Sequence, residues 1–183
     1  MQMPRRQPYK TRPLPKVWLM TDPRLGAGLM AAVRKLPFGS GVVFRHYDLP
    51  DAQRRALFQQ IARLCRQRGH QLLIAGDGGD WAADGVHGQP QHYPPQILSM
   101  PVHNIAEIRH AKQIGADLVF LSPLFPTRSH PGGKALGMLR FSALARLAMP
   151  MRVIALGGVT RNRARMVIVR KAYGWAGIDA FLD

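Results

Sequence analysis

The chain is short of acid, of thiol and of long apolar runs, and each shortage narrows what it can be. Asp and Glu number 10 against 26 Lys and Arg, for a net charge of +16, and Glu107 is the only glutamate. A field of this sign concentrates anions near the surface, whether phosphate metabolites or nucleic acid. Aromatic residues make up only 8% of the chain. No aromatic platform, zinc pattern or helix-turn-helix signal stands beside the basic stretches, so nucleic-acid binding is the weaker reading. The single cysteine, Cys65, excludes an internal disulfide and fits a buried apolar thiol in a reducing cytoplasm. No run approaches the roughly 20 apolar residues that span a bilayer, which argues against a membrane segment. Residues 1–16 are basic and proline-rich with no apolar core, unlike a secretory signal.

What is there suits one domain: 183 residues, 46% of them hydrophobic, with 18 Gly and 15 Pro for sharp connections. Short β-branched runs alternate with helical patterns, the signature of parallel strands joined by crossovers. The strands are expected at 17–20, 41–45, 71–75, 85–87, 97–102, 118–121, 152–156 and 178–181. The helices are expected at 28–36, 51–68, 105–114, 141–147 and 161–171. Asp51 reads as one N-cap, and Asn104 with Glu107 three residues on reads as another. Eight such strands predict an α/β fold of the (β/α)8 TIM-barrel class over residues 17–183, preceded by a basic arm, residues 1–16, that need not be ordered. The chain is short for that fold, so the third, fourth and eighth outer helices are reduced or missing. Apolar wall left bare in this way could be covered by a second copy, a homo-oligomer. An open doubly wound sheet is the alternative, and the lack of a GxGxxG fingerprint weighs against it.

In such a barrel, chemistry sits where strands end. After the seventh strand, Gly157 and Gly158 lead into a helix, so backbone N–H groups and a helix N-terminus can receive a phosphate; the plainer reading is a tight turn. After the sixth, Thr127, Arg128, Ser129 and Lys134 supply hydroxyls and cations suited to a phosphate or diphosphate. After the fifth, His103 is placed to exchange protons or merely to cap a helix. After the second, Arg45 is an oxyanion ligand or an ion-pair partner of Asp48. Thr21-Asp22-Pro23 reads as a turn and cap.

These segments, taken in order, resemble the thiamine-phosphate synthase and thiazole tautomerase (TenI-like) family. Trp18-Leu19-Met20-Thr21-Asp22 resembles the family's "YLVTD" and Ala83-Asp84-Gly85-Val86-His87 its "ADGVH". Ser122-Pro123-Leu124-Phe125-Pro126-Thr127, after Gly115-Ala116-Asp117, resembles "GPIFPT", and Ala155-Leu156-Gly157-Gly158-Val159-Thr160 resembles "AIGGIT". The resemblance implies a (β/α)8 barrel in thiamine biosynthesis that acts on or binds a thiazole phosphate. In the synthase branch, an aminopyrimidine diphosphate is joined to the thiazole phosphate with Mg²⁺. In the tautomerase branch, a proton moves on the thiazole without metal. The synthase's diphosphate element is kept at Arg45 but reads Val43 and Tyr47 where the family has Gln and Lys. Its Asn-Asp pair falls at Ala75-Gly76, leaving Asp77, one residue late, as a weak metal candidate with Asp80 the other carboxylate nearby, and its acidic loop reads Gly88-Gln89-Pro90-Gln91. Mg²⁺ needs hard oxygen ligands, usually carboxylates. The "SVHS" element of the tautomerase keeps its histidine as His103. The expectation is therefore a TenI-like barrel with His103 as acid/base. Gly157, Gly158, Thr127 and Ser129 would hold phosphate, with Arg45 on the opposite wall. The synthase and a non-catalytic phosphate-binding or regulatory protein are the alternatives.

Overall fold

A computed structural model describes residues 12–76, 81–90, 95–128 and 134–181. Its eight parallel strands close a barrel in chain order: β1 (Val17–Met20), β2 (Gly41–Phe44), β3 (Gln71–Ala75), β4 (Gly85–His87), β5 (Ile97–Val102), β6 (Leu118–Leu121), β7 (Arg152–Ala155) and β8 (Gly174–Gly177). Closure comes from β1 pairing with β8 in the register Trp18↔Ala176. The α-helices of the described residues are α1 (Leu29–Lys35), α2 (Asp51–Gln67), α3 (Ile105–Gln113), α4 (Gly137–Ala148) and α5 (Arg161–Val169). This is the (β/α)8 barrel expected from the alternation, and no helix among the described residues is long and apolar enough to cross a membrane.

The strands read as continuous apolar runs because both faces are buried. Alternate residues serve two cores. Trp18, Met20, Val43, Leu73, Ile97, Leu118, Phe120 and Ile154 fill the interior. Leu19, Val42, Phe44, Leu72, Ile74, Val119 and Val153 face outward to the helices. Trp18 is the largest interior side chain, and Gly41 on the neighbouring strand makes room for it: a Cβ there would lie 2.1 Å from the indole. Two polar side chains also lie inside. His87 and Ser99 hydrogen-bond at 2.8 Å, and the His87 ring meets the Phe120 ring edge-on at 4.9 Å.

Two expectations are corrected. The eighth strand is Gly174–Gly177, not 178–181, where Asp179–Phe181 forms a 3₁₀ turn instead. Gly-Trp-Ala-Gly has low strand propensity, and the segment after it is the more apolar. Barrel closure overrides that propensity. The N-cap of α2 is Pro50, and Asp51 is the first helical residue, where its charge still favours the helix dipole. Asn104 does cap α3 as expected, accepting from the Glu107 N–H at 3.0 Å.

Two of the motif residues prove structural. Asp84, one residue before β4, accepts the Leu72 N–H of β3 at 2.8 Å while its own N–H donates to the Leu72 carbonyl. Asp117, one residue before β6, does the same with Leu98 of β5. Tyr173 takes the corresponding place before β8, its N–H donating to Val153 of β7. All three lie at the N-terminal end of the strands. Residues 13–16 cross that end: the Pro13, Leu14 and Pro15 carbonyls accept from Gln71, Tyr173 and Trp18.

Between β3 and β4 the described residues form no helix. Trp81 covers the wall there, its ring 5.0 Å from Phe58 of α2 and 6.4 Å from Phe44 of β2.

Candidate functional site

At the C-terminal end of the barrel lies a cavity of about 690 Å³. Its walls come from the ends of β6, β7 and β8, with Met20 and Arg45 closing the far side. The Gly157-Gly158 turn after β7 lines it. Gly157 has φ 93° and Gly158 φ 62°, the left-handed region that side chains with a Cβ rarely adopt. Space is as restrictive as geometry. A Cβ on Gly157 would lie 2.8 Å from Cα of Pro123, and one on Gly158 would lie 2.6 Å from the Pro126 carbonyl oxygen. The loop after β6 packs that closely because Leu124 and Phe125 donate to the carbonyls of Leu156 and Gly157. With the carbonyls of Leu156 and Gly157 turned to that loop, the N–H groups of Gly157 and Gly158 have no backbone acceptor among the described residues. Thr160 then caps α5, and Arg161 and Asn162 of its first turn line the same cavity. Unpartnered backbone donors beside a helix N-terminus form an arrangement that receives an anion.

Charge at the rim is organised by two carboxylates. Asp22, which caps the 3₁₀ turn Pro23–Gly28, accepts from Arg45 at 2.6 Å and from Arg24 Nε at 3.0 Å. Burial pushes its carboxyl up, but hydrogen bonds from Arg24 and the charges of Arg45 and Arg24 outweigh this and hold it below the ordinary carboxylate range. It is ionised at neutral pH. Asp179, on the turn after β8, lies 3.0 Å from Arg128 and 3.9 Å from Arg24. Arg45 is thus paired with Asp22, not Asp48. Its Nε also donates to the Thr21 carbonyl at 2.7 Å, which aims the guanidinium along the cavity wall. The buried Thr21 hydroxyl accepts the Arg45 N–H at 2.9 Å and shares a second hydrogen bond with His46 Nδ1 at 3.0 Å. His46 pays for this place with a φ of 42°, strained for a non-glycine residue.

Gly157, Gly158, Thr127 and Arg45 therefore line one cavity. His103 does not. It stands half-exposed at the end of β5, where the Glu107 carboxylate accepts its backbone N–H at 2.7 Å and its Nδ1–H at 2.8 Å. Burial pushes Glu107 up, and the hydrogen bonds from His103 overcome this and lower it, so the carboxylate is charged. Ser129 and Asp77 lie outside the described residues. Sequence reasoning missed Asp179, because it was placed within a strand, and saw Asp22 only as a cap; the bond to Arg45 links positions too far apart for any local pattern.

The described residues at the ends of β3 and β4 do not fit Mg²⁺. Ala75, Gly76, Gly88 and Gln89 offer no carboxylate, and no group of three His, Cys, Asp or Glu among the described residues could hold a metal. A cation already sits there. The buried guanidinium of Arg54 donates to the carbonyls of Ala75 at 2.7 Å and Arg45 at 3.2 Å and lies over the rings of Phe44, Tyr47 and Trp81.

The model of the family described as thiamine monophosphate synthase matches residues 30–181. A protein of Aquifex aeolicus named "Putative thiamine-phosphate synthase 2" is 30% identical over 187 residues, covering 93% of this chain and 99% of that protein. A thiamine-phosphate synthase of Geobacillus thermodenitrificans is 32% identical over 148 residues, covering 72% of this chain and 66% of that protein. Among solved structures, a thiamine phosphate pyrophosphorylase from Pyrococcus furiosus superposes with a TM-score of 0.74 at 22% identity, over 91% of this chain and 87% of that one.

Proposed function

The chain belongs to the thiamine monophosphate synthase family, and from that premise we propose that it binds a thiazole phosphate, with the phosphate at the Gly157-Gly158 turn, and moves a proton on the thiazole. The observation that carries the phosphate assignment is the pair of backbone N–H groups without a backbone acceptor among the described residues, on the wall of a cavity that Arg45, Arg128 and Arg161 also line. A phosphate accepts from these donors and from the first turn of α5, and Thr127 adds a hydroxyl. Arg45, anchored by Asp22, supplies fixed positive charge on the facing wall.

The proton-transfer role falls to His103. A carboxylate only accepts, so the Glu107 contact keeps the proton on Nδ1 and leaves the Nε2 lone pair as the base. Nε2 takes a proton from the thiazole ring system and returns it at the position where the double bond reforms. The phosphate, held across the mouth beyond β7, directs the ring toward the end of β5.

The second reading is the synthase reaction, favoured by the names of the relatives. Against it stands the poor fit of the described β3 and β4 ends to Mg²⁺. One experiment separates the readings. The protein is mixed with thiazole carboxylate phosphate, then with aminopyrimidine diphosphate, with and without Mg²⁺, and followed by NMR. Proton exchange lost in His103→Ala supports the proposal. Thiamine phosphate formed only with Mg²⁺ replaces it with the synthase. Saturable binding without turnover makes the chain a phosphate-binding module.

A further inference from the structure

Asp179 stands out in a site read as anion-binding, because it is a carboxylate on the cavity wall. Among the described residues it has two cationic neighbours, each from a different loop. Arg128, which follows β6 and also lines the cavity, donates to it at 3.0 Å, and Arg24, on the turn after β1, lies 3.9 Å away. Asp22 draws Arg24 the other way. The Arg128–Asp179 pair therefore spans the loop that carries Gly157-Gly158, from the end of β6 to the end of β8. It is also open to water, with the Arg128 side chain 81% exposed. Ion pairs this exposed bind weakly and exchange readily.

We propose that Asp179 is the site's own stand-in anion: it holds Arg128 while the cavity is free of phosphate, and an entering phosphate takes Arg128 over from it. This rests on the phosphate reading above and adds the residue that sets its affinity. A phosphate with two negative charges competes for a guanidinium better than a singly charged carboxylate does, while both can accept in bidentate fashion. A carboxylate-only ligand of the same shape gains no such advantage. Asp179 thereby favours phosphate esters over carboxylates.

The test is a four-protein cycle: the unsubstituted chain, Asp179→Asn, Arg128→Gln and the double variant. Each is titrated with inorganic phosphate and with acetate at constant ionic strength, by calorimetry. Urea unfolding in phosphate-free buffer checks that all four are folded. Asp179→Asn is expected to bind phosphate about threefold to tenfold more tightly, because Arg128 is no longer held. Exchange predicts that this gain disappears when Arg128 is also replaced, and that Asp179→Asn narrows the preference for phosphate over acetate. An equal gain in both backgrounds would mean simple repulsion by Asp179 and would overturn the exchange. So would no gain at all. Absence of phosphate binding in all four proteins would overturn the phosphate reading along with it.

Discussion

His87 sits inside the barrel with no charged partner, and acid should unfold the protein through it. Burial first, and the Arg45 charge second, push its imidazole down from the usual 6.5 to about 3. In the unfolded chain the ring titrates normally. Between those two values the unfolded state takes up a proton that the native interior refuses, so stability is whole above about pH 7 and falls as pH drops through 6.5 toward 3. At about pH 5, some 1.5 units below the unfolded value, the loss is about 2 kcal/mol at 1.36 kcal/mol per unit. That figure depends on the unfolded value alone, because pH 5 is still well above the native one. His46 and His70 are also pushed down by burial and act in the same sense, so the comparison has to isolate one ring. His87→Asn does so: an amide can replace Nδ1 toward Ser99 and does not titrate. The assay is urea unfolding followed by tryptophan fluorescence at about pH 7 and pH 5. The drop in unfolding free energy between the two is expected to be about 2 kcal/mol smaller in His87→Asn, whatever offset the substitution adds at both. Equal drops in the two proteins would refute the reasoning.

Gly158→Ala forces a Cβ against the Pro126 carbonyl at a left-handed φ. It should cost about 2–4 kcal/mol in urea unfolding and weaken inorganic phosphate binding measured by calorimetry. Glu107→Gln removes the carboxylate that fixes the His103 tautomer. Thiazole proton exchange followed by NMR should fall at least about tenfold, close to the His103→Ala level. Asp84→Ala leaves the Leu72 N–H without its side-chain acceptor and should cost about 1–3 kcal/mol in urea unfolding, with phosphate affinity unchanged. Burial pushes the Cys65 thiol up to about 12. It should therefore resist aromatic disulfide reagents in the native protein at about pH 8 and react only as fast as the chain opens.

The barrel was legible in the sequence because most of its strands are short apolar runs between turn residues, as at Leu72–Ile74 and Val153–Ala155. β8 was not legible. Gly174, Ala176 and Gly177 lack the side chains that mark a strand, and only closure against β1 makes them one. The glycine turn of the site could be read, since two adjacent glycines after a strand are a local signal. The ion pairs that arrange the rim could not. Asp22–Arg45 and Asp179–Arg128 join residues 23 and 51 positions apart, and such pairings exist only once the barrel has brought the strand ends together. The motif "ADGVH" was legible as a mark of the fold, yet the role of its aspartate was not. Asp84 ties two strands at the end away from the cavity, which no local pattern distinguishes from a catalytic carboxylate.

The scarcity of acid has a consequence for how this chain can vary. Of the seven acidic residues among those described, Asp22, Asp84, Glu107, Asp117 and Asp179 each hold a named backbone or arginine donor. Two of them, Asp84 and Asp117, lock strand pairs at the floor, and two, Asp22 and Asp179, space the arginines at the mouth. Apart from Arg24, Arg45, Arg54 and Arg128, the cations are many and largely interchangeable on a solvated surface, while these carboxylates have no understudies. Substitutions that add or shuffle arginines should therefore be tolerated widely, whereas loss of a single one of these acids should show at once, in stability at the floor and in ligand affinity at the mouth.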